Sequence, residues 1–122
     1  MKRQNTLAAV AALICVLSGS AFAKPEKNDA TIAKGKTAYT TNCASCHGDK
    51  GDGQGSAGKF LKPPPRNFTN AKEKWKAKKD EAGLFETVSK GLPNTTMVGF
   101  GHLSEDDRWA IVYYVQTLMP KK

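Results

Sequence analysis

Cys43-Ala44-Ser45-Cys46-His47 places two thiols and an imidazole within five consecutive residues. The thiols lie about one helical turn apart, and the histidine follows the second at once. That spacing suits covalent attachment of a c-type haem, in which the thiols add to two vinyl groups and the histidine becomes the proximal ligand of the iron. Other chemistries use parts of the same pattern. A thioredoxin-like redox dithiol follows a buried strand, whereas residues 34–42 read Lys-Gly-Lys-Thr-Ala-Tyr-Thr-Thr-Asn and hold no strand-like apolar run. A structural zinc site needs a fourth ligand, for which the chain past residue 23 offers only His102 and scattered carboxylates. A plain disulfide would close a two-residue loop and add little stability.

Upstream, Lys2 and Arg3 precede an uninterrupted apolar run from Leu7 to Leu17, and Ala21-Phe22-Ala23 has the small-x-small form that signal peptidase accepts. Residues 1–23 read as a cleaved secretory signal peptide, which predicts a periplasmic protein. The run is shorter than the roughly 20 residues of a membrane span, so no stable membrane insertion is expected. Cys15 goes with the leader, because Ile14 stands where a lipoprotein signal needs a small residue. Haem attachment takes place on the outer side of the membrane, so the leader and the motif agree.

Residues 24–122 then form a single monohaem domain. The whole chain has 122 residues, 39% apolar and 25% charged, which excludes a multi-domain machine, outright disorder and a collagen repeat. A chain this short buries a modest core and often needs a cofactor, metal or disulfide as a staple. Lys and Arg number 19 against 11 Asp and Glu, and only two of those cations, Lys2 and Arg3, leave with the leader. The basic excess therefore belongs to the domain and turns attention to acidic partners; export argues against nucleic acid.

The sixth position of the iron decides what such a haem does: a thioether sulfur there makes an electron carrier of raised potential, and an open site permits ligand binding or peroxide chemistry. Candidates are Met97, in the glycine- and proline-bounded loop Gly91-Leu92-Pro93-Asn94-Thr95-Thr96-Met97-Val98-Gly99-Phe100, together with His102 and Met119. The loop frees Met97 from helical constraints. His102, just before a helix start, suits a solvated role, and Met119 suits packing at the end of the last helix.

Periodicity gives three helices and no alternating run long enough for a sheet, hence an all-α fold. The first runs from an Asp29 N-cap to about Asn42, with Ile32, Gly35 and Tyr39 at helical spacing. Gly35 in mid-helix costs about 1 kcal/mol relative to alanine, which points to close approach of another backbone. The second runs from about Asp80 to Lys90 and is stopped by Gly91 and Pro93. The third follows Ser104, with Asp107 completing a box-like cap and Ile111, Val115 and Leu118 forming its apolar stripe beside Tyr114. No tyrosine or tryptophan has a partner pattern suggesting redox work, and the glycines between Gly48 and Gly58 make a loop without a phosphate-binding pattern.

Four segments in order, Gly35-x-x-x-Tyr39-x-x-x-Cys43-x-x-Cys46-His47-Gly48, Leu61-Lys62-Pro63-Pro64-Pro65-Arg66-Asn67-Phe68, Gly91-x-Pro93 with Met97 and Phe100, and Trp109 to Val115, make the chain resemble the class I c-type cytochromes, particularly small exported bacterial monohaem members. The resemblance implies N- and C-terminal helices crossing around one covalent haem c, Gly35 and Tyr39 meeting the last helix near Ile111 and Tyr114, thioethers at Cys43 and Cys46, and iron ligation by His47 and Met97. It also implies a hydrogen bond from the free ring nitrogen of His47 to a carbonyl of Pro63 to Pro65, and propionate contacts from Arg66 and Trp75. Val98 departs from the family's commonest pattern, where proline follows the axial methionine.

The implied function is periplasmic one-electron transfer by a monomer with no catalytic residues of its own. The alternatives are a haem sensor or weak peroxidase with a labile sixth site, and a fixed subunit of a larger oxidoreductase complex. Lys72, Lys74, Lys76, Lys78 and Lys79 read either as a solvated face or as a docking rim for acidic redox partner proteins.

Overall fold

The computed structural model describes residues 23–121, and the expected signal sequence, Cys15 included, lies outside them except for Ala23. The elements in order are α1 (Asp29–Asn42), α2 (Ala44–His47), a 3₁₀ turn (Gly58–Phe60), α3 (Glu81–Lys90) and α4 (Glu105–Leu118). Among the described residues there is no strand, as the periodicity predicts, and no helix is long and apolar enough to cross a membrane.

The helix starts follow local hydrogen-bond chemistry. Ser104 caps α4 by accepting from the Asp107 amide at 3.1 Å, and Asp80 caps α3 by accepting from the Gly83 amide at 2.7 Å. At α1 the cap is Asn28, whose Oδ1 accepts from the Thr31 amide at 2.9 Å, and not Asp29. Asparagine and aspartate cap equally well, and with Asn28 in that role the Asp29 carboxylate falls in the first turn, where the helix dipole favours it.

The core is organised around α4. Ala110, Ile111, Val112, Tyr113 and Val115 are all buried, and burial of the Ile111 and Val112 side chains contributes roughly 1.5–3 kcal/mol each. Across one face of α4 lies α1, with the crossing point at Gly35: a Cβ there would overlap the Ala110 carbonyl oxygen and come within 3.1 Å of Tyr114 Cβ. One turn on, the Tyr39 ring meets Tyr114 edge-on at 5.1 Å, and its hydroxyl donates to the Gly48 carbonyl at 2.7 Å. The N-terminal and C-terminal helices are thereby fixed to the segment that follows the Cys-x-x-Cys-His motif. Gly35→Ala should force the two helices apart; the expected loss is about 2–3 kcal/mol, or roughly 10–20 °C in the melting temperature of a domain this size, read by thermal circular dichroism.

On its other side α4 holds α3 and the residues before α1. Trp109 stacks on Phe85 with centroids 4.1 Å apart, and the Tyr113 hydroxyl donates to the Pro25 carbonyl at 2.8 Å. Lys24 pairs with Glu81 at the start of α3 and lies over the Trp109 ring. The remaining face of this framework, made by Leu84 and Val88 of α3 and Val112 and Val115 of α4, is left to line a cavity.

Candidate functional site

The cavity has a volume of about 330 Å³ and lies between the Cys43–His47 segment, α3, α4 and two loops. Cys43 and Cys46, neither in a disulfide, stand on its wall with His47. α1 ends at Asn42 and α2 begins at Ala44, so the motif turns through a corner at Cys43; the His47 amide still bonds the Cys43 carbonyl at 2.9 Å, which keeps both thiols and the imidazole on one turn. Burial pushes the Cys43 thiol up to about 12. A thioredoxin-like dithiol needs the opposite shift, a stabilised thiolate, together with a strand ahead of it that the described residues lack.

The imidazole of His47 is held from two sides. Its Nδ1 lies 3.2 Å from the Arg66 carbonyl, a contact that selects the Nδ1–H tautomer and leaves Nε2 with the free lone pair. Phe68 stacks against the ring with centroids 4.6 Å apart. Burial lowers the histidine's pKa, partly offset by the Arg66 carbonyl, so the ring is neutral at neutral pH, as a metal ligand requires. The partner carbonyl belongs to Arg66, one residue past the expected proline run. Pro63 and Pro65 contribute to the cavity wall instead. Phe68 carried no separate sequence signal beyond its place in that segment.

Opposite elements supply the distal wall. Of the three sulfur and nitrogen candidates, Met97 lines the cavity, His102 is exposed with its ring 5.9 Å from Phe100, and Met119 packs against the core cluster away from the cavity. The Met97 loop is stitched within itself by the Leu92 amide to the Met97 carbonyl at 3.1 Å and the Met97 amide to Thr95 Oγ1 at 3.1 Å, and is tied to α3 by the Phe100 amide to the Val88 carbonyl at 2.8 Å. Gly91 opens the loop at φ 76°, a conformation natural to glycine, and a side chain there would strike the Met97 carbonyl. These bonds rigidify the loop although Val98, exposed at its tip, is not proline.

Arg66 and Trp75 both reach the cavity wall. The Arg66 guanidinium is engaged with Glu73 at 3.2 Å and with the Lys74 carbonyl at 2.8 Å. Among the described residues no group of three or more His, Cys, Asp or Glu side chains is placed to hold a metal, so a zinc donor set is missing.

The cytochrome c family profile matches residues 32–119, a span that includes the motif, both loops and all of α3 and α4. The chain belongs to the cytochrome c family. Haem c, covalently held, is therefore its cofactor, and the residues fit it: two free thiols at the motif spacing, a neutral imidazole with Nε2 unengaged, and an apolar wall. This cytochrome c is 35% identical over 88 residues to the cbb3-type cytochrome c oxidase subunit CcoP of Azospirillum sp. (strain B510), and 32% identical over 94 residues to the subunit FixP of Bradyrhizobium diazoefficiens. Those matches cover 71% and 77% of this chain but only 28% and 30% of the relatives, so the cytochrome spans less than a third of their length. A thiosulfate dehydrogenase of Stutzerimonas stutzeri is 33% identical over 89 residues, covering 27% of that protein. In structure, the cytochrome superposes with a TM-score of 0.65 and 31% identity on a chain of a reducing HAO-like protein complex of Kuenenia stuttgartiensis, covering 70% of itself and 41% of that chain. Its chemistry is haem-based electron transfer.

Proposed function

We propose that this cytochrome c is an exported single-electron carrier, with Cys43 and Cys46 as the thioether anchors of one haem c and with His47 and Met97 as the iron's axial ligands. The observation that carries the reading is that one cavity wall holds Cys43, Cys46 and His47 while Met97, out of three possible distal donors, is the one facing the same space. Haem c supplies a one-electron ferrous/ferric couple. The chain's residues do the rest. The Arg66 carbonyl and the Phe68 ring hold the His47 imidazole in one tautomer and orientation, which reduces rearrangement when the charge changes. Leu84, Val88, Val112 and Val115 exclude water from the site, favouring the less charged reduced state. The stitched 91–100 loop keeps the Met97 thioether facing the cavity in both states. Residues 1–23 act as the export signal, delivering residues 24–122 to the periplasm as a monomer without catalytic residues of its own.

A second reading, a fixed subunit of a larger oxidoreductase, is favoured by one observation: two of the relatives are oxidase subunits more than three times as long as the matched region. The haem-loaded chain expressed alone distinguishes the two by its elution as a monomer or with membranes and partners. The ligand assignment is tested on the same sample. The ferric protein should show the weak sulfur-to-iron charge-transfer band, and the ferrous protein should not bind carbon monoxide. Absence of the band together with carbon monoxide binding would move the chain to the sensor or peroxidase class.

A further inference from the structure

Five lysines, Lys72, Lys74, Lys76, Lys78 and Lys79, are exposed along the segment that joins Phe68 to α3. Such a run is usually a solvated face, but three observations set this one apart. The acidic side chain inside it, Glu73, is neutralised: Arg66 pairs with its carboxylate at 3.2 Å from within the fold. Asp80, at its end, is spent on the α3 cap. Thus the segment presents five exposed cations against one exposed carboxylate, that of Asp80, which is engaged by the Gly83 amide. The third observation is Trp75, half-buried at the centre of the run, which lines the cavity on its inner side and has Lys79 Nζ 5.3 Å from its ring centroid. Its ring lies 5.5 Å from Phe68, and Phe68 lies 4.6 Å from His47. An unbroken aromatic row therefore leads from the iron's proximal side to the middle of the lysine arc, a connection that sequence spacing does not reveal.

We infer that the Lys72–Lys79 arc is the docking face for an acidic redox protein, and that Trp75 carries the electronic coupling from that face to the haem cavity. The inference rests on the electron-carrier reading. Charge complementarity selects the partner: five exposed cations around one aromatic fit a carboxylate-rich patch bordering a redox centre, and they would speed encounter at low salt. The exposed apolar side chains Val98, on the cavity wall, and Phe60, next to the cavity-lining Leu61 in sequence, are 64% and 78% exposed and mark the competing face. It holds fewer cations, with Lys59 and Lys62 nearest in sequence.

Flavodoxin, an acidic flavoprotein, is a suitable probe. One electron passes from its anionic flavin hydroquinone, which becomes the neutral semiquinone, to the ferric protein, which becomes ferrous, with no bond made or broken. Stopped-flow reduction and calorimetric binding of oxidised flavodoxin are measured on the holoprotein and on two charge-matched triple variants. In Lys72→Glu/Lys74→Glu/Lys78→Glu, which leaves the cavity-lining Lys76 in place, low-salt affinity and second-order rate should each fall about tenfold or more, with a flatter salt dependence. Lys36→Glu/Lys50→Glu/Lys59→Glu, on α1, a loop and the 3₁₀ turn, should fall about threefold or less. Equal losses in the two variants would make the effect one of net charge and overturn the docking assignment. Trp75→Leu should leave flavodoxin affinity unchanged while the rate within the saturated complex drops about tenfold, with Trp75→Phe recovering most of it; an unchanged limiting rate in Trp75→Leu would overturn the coupling role. Reduction by free lumiflavin hydroquinone, which has no acidic surface, should be the same in the two triple lysine variants as in the wild type, and in the Trp75 variants it supplies the rate against which the loss within the flavodoxin complex is read. A wild-type holoprotein that lumiflavin fails to reduce would instead refute the carrier reading, and the docking inference with it.

Discussion

Met97→Ala should abolish the ferric protein's sulfur-to-iron charge-transfer band, lower the reduction potential, and make the ferrous protein bind carbon monoxide. Each consequence has the same origin. A thioether is a neutral, soft ligand that favours ferrous iron, and replacing it with water or with nothing removes that preference. Axial ligands set haem potentials over a range of about 0.8 V, and a fall on the order of 0.1 V or more is expected here. The fold should survive. The hydrogen bonds of the loop run through the Met97 amide and carbonyl and the Thr95 hydroxyl, none of which the substitution removes. Met97→Leu separates ligation from packing, because leucine fills the same wall without a sulfur: it should match alanine in spectrum and potential while melting closer to wild type. A band that persists in both variants would mean that the sixth ligand is another sulfur, and Met119, packed against the core cluster away from the cavity, would need the chain end to refold before it reached the haem.

The sequence made the helices and their stops legible wherever a local rule settled the matter. Ser104 caps as the pattern predicts, α3 begins one residue past the expected Asp80, which serves as its cap, Gly91 ends α3, and the cost of Gly35 has its cause in the Ala110 carbonyl. Where two neighbours satisfy the same rule, as Asn28 and Asp29 do, composition cannot choose, and the structure assigns the cap by the hydrogen bond formed. The site divides along the same line. Cys43, Cys46 and His47 are positioned by spacing within one turn, so their common placement can be read directly. The His47 partner depends on the path of a nineteen-residue excursion, and the resemblance brings it to within one residue, to the proline run and not to Arg66. The Phe68–Trp75 contact was beyond reach, since nothing periodic ties two aromatics across an irregular loop. The lysine run was visible, but its significance depends on where Glu73 and Trp75 turn, which only three-dimensional placement decides.

Cys43→Ser/Cys46→Ser should yield a chain with no covalent haem and with most of its cooperative helical structure lost. The cavity penetrates the centre of the fold, with walls drawn from α3, α4 and the motif itself, and the occupant is what those apolar walls pack against. Leaving about 330 Å³ without a packed occupant costs up to about 8 kcal/mol at ~24 cal/mol per Å³, an upper bound because water can enter. That is comparable with the entire stability of a domain this size, on the order of 5–15 kcal/mol. A stapled cofactor is thus part of the core of a small fold. The single variants should grade the effect: Cys46→Ser and Cys43→Ser each retain one thioether, with a shifted pyridine haemochrome band and a melting temperature between wild type and the double variant. Denaturing gels stained for haem read the attachment, and far-ultraviolet circular dichroism reads the fold. A double variant that keeps a cooperative, wild-type-like transition without haem would show that α1, α3 and α4 hold themselves together, and would return the haem to the role of a passenger in a preformed pocket.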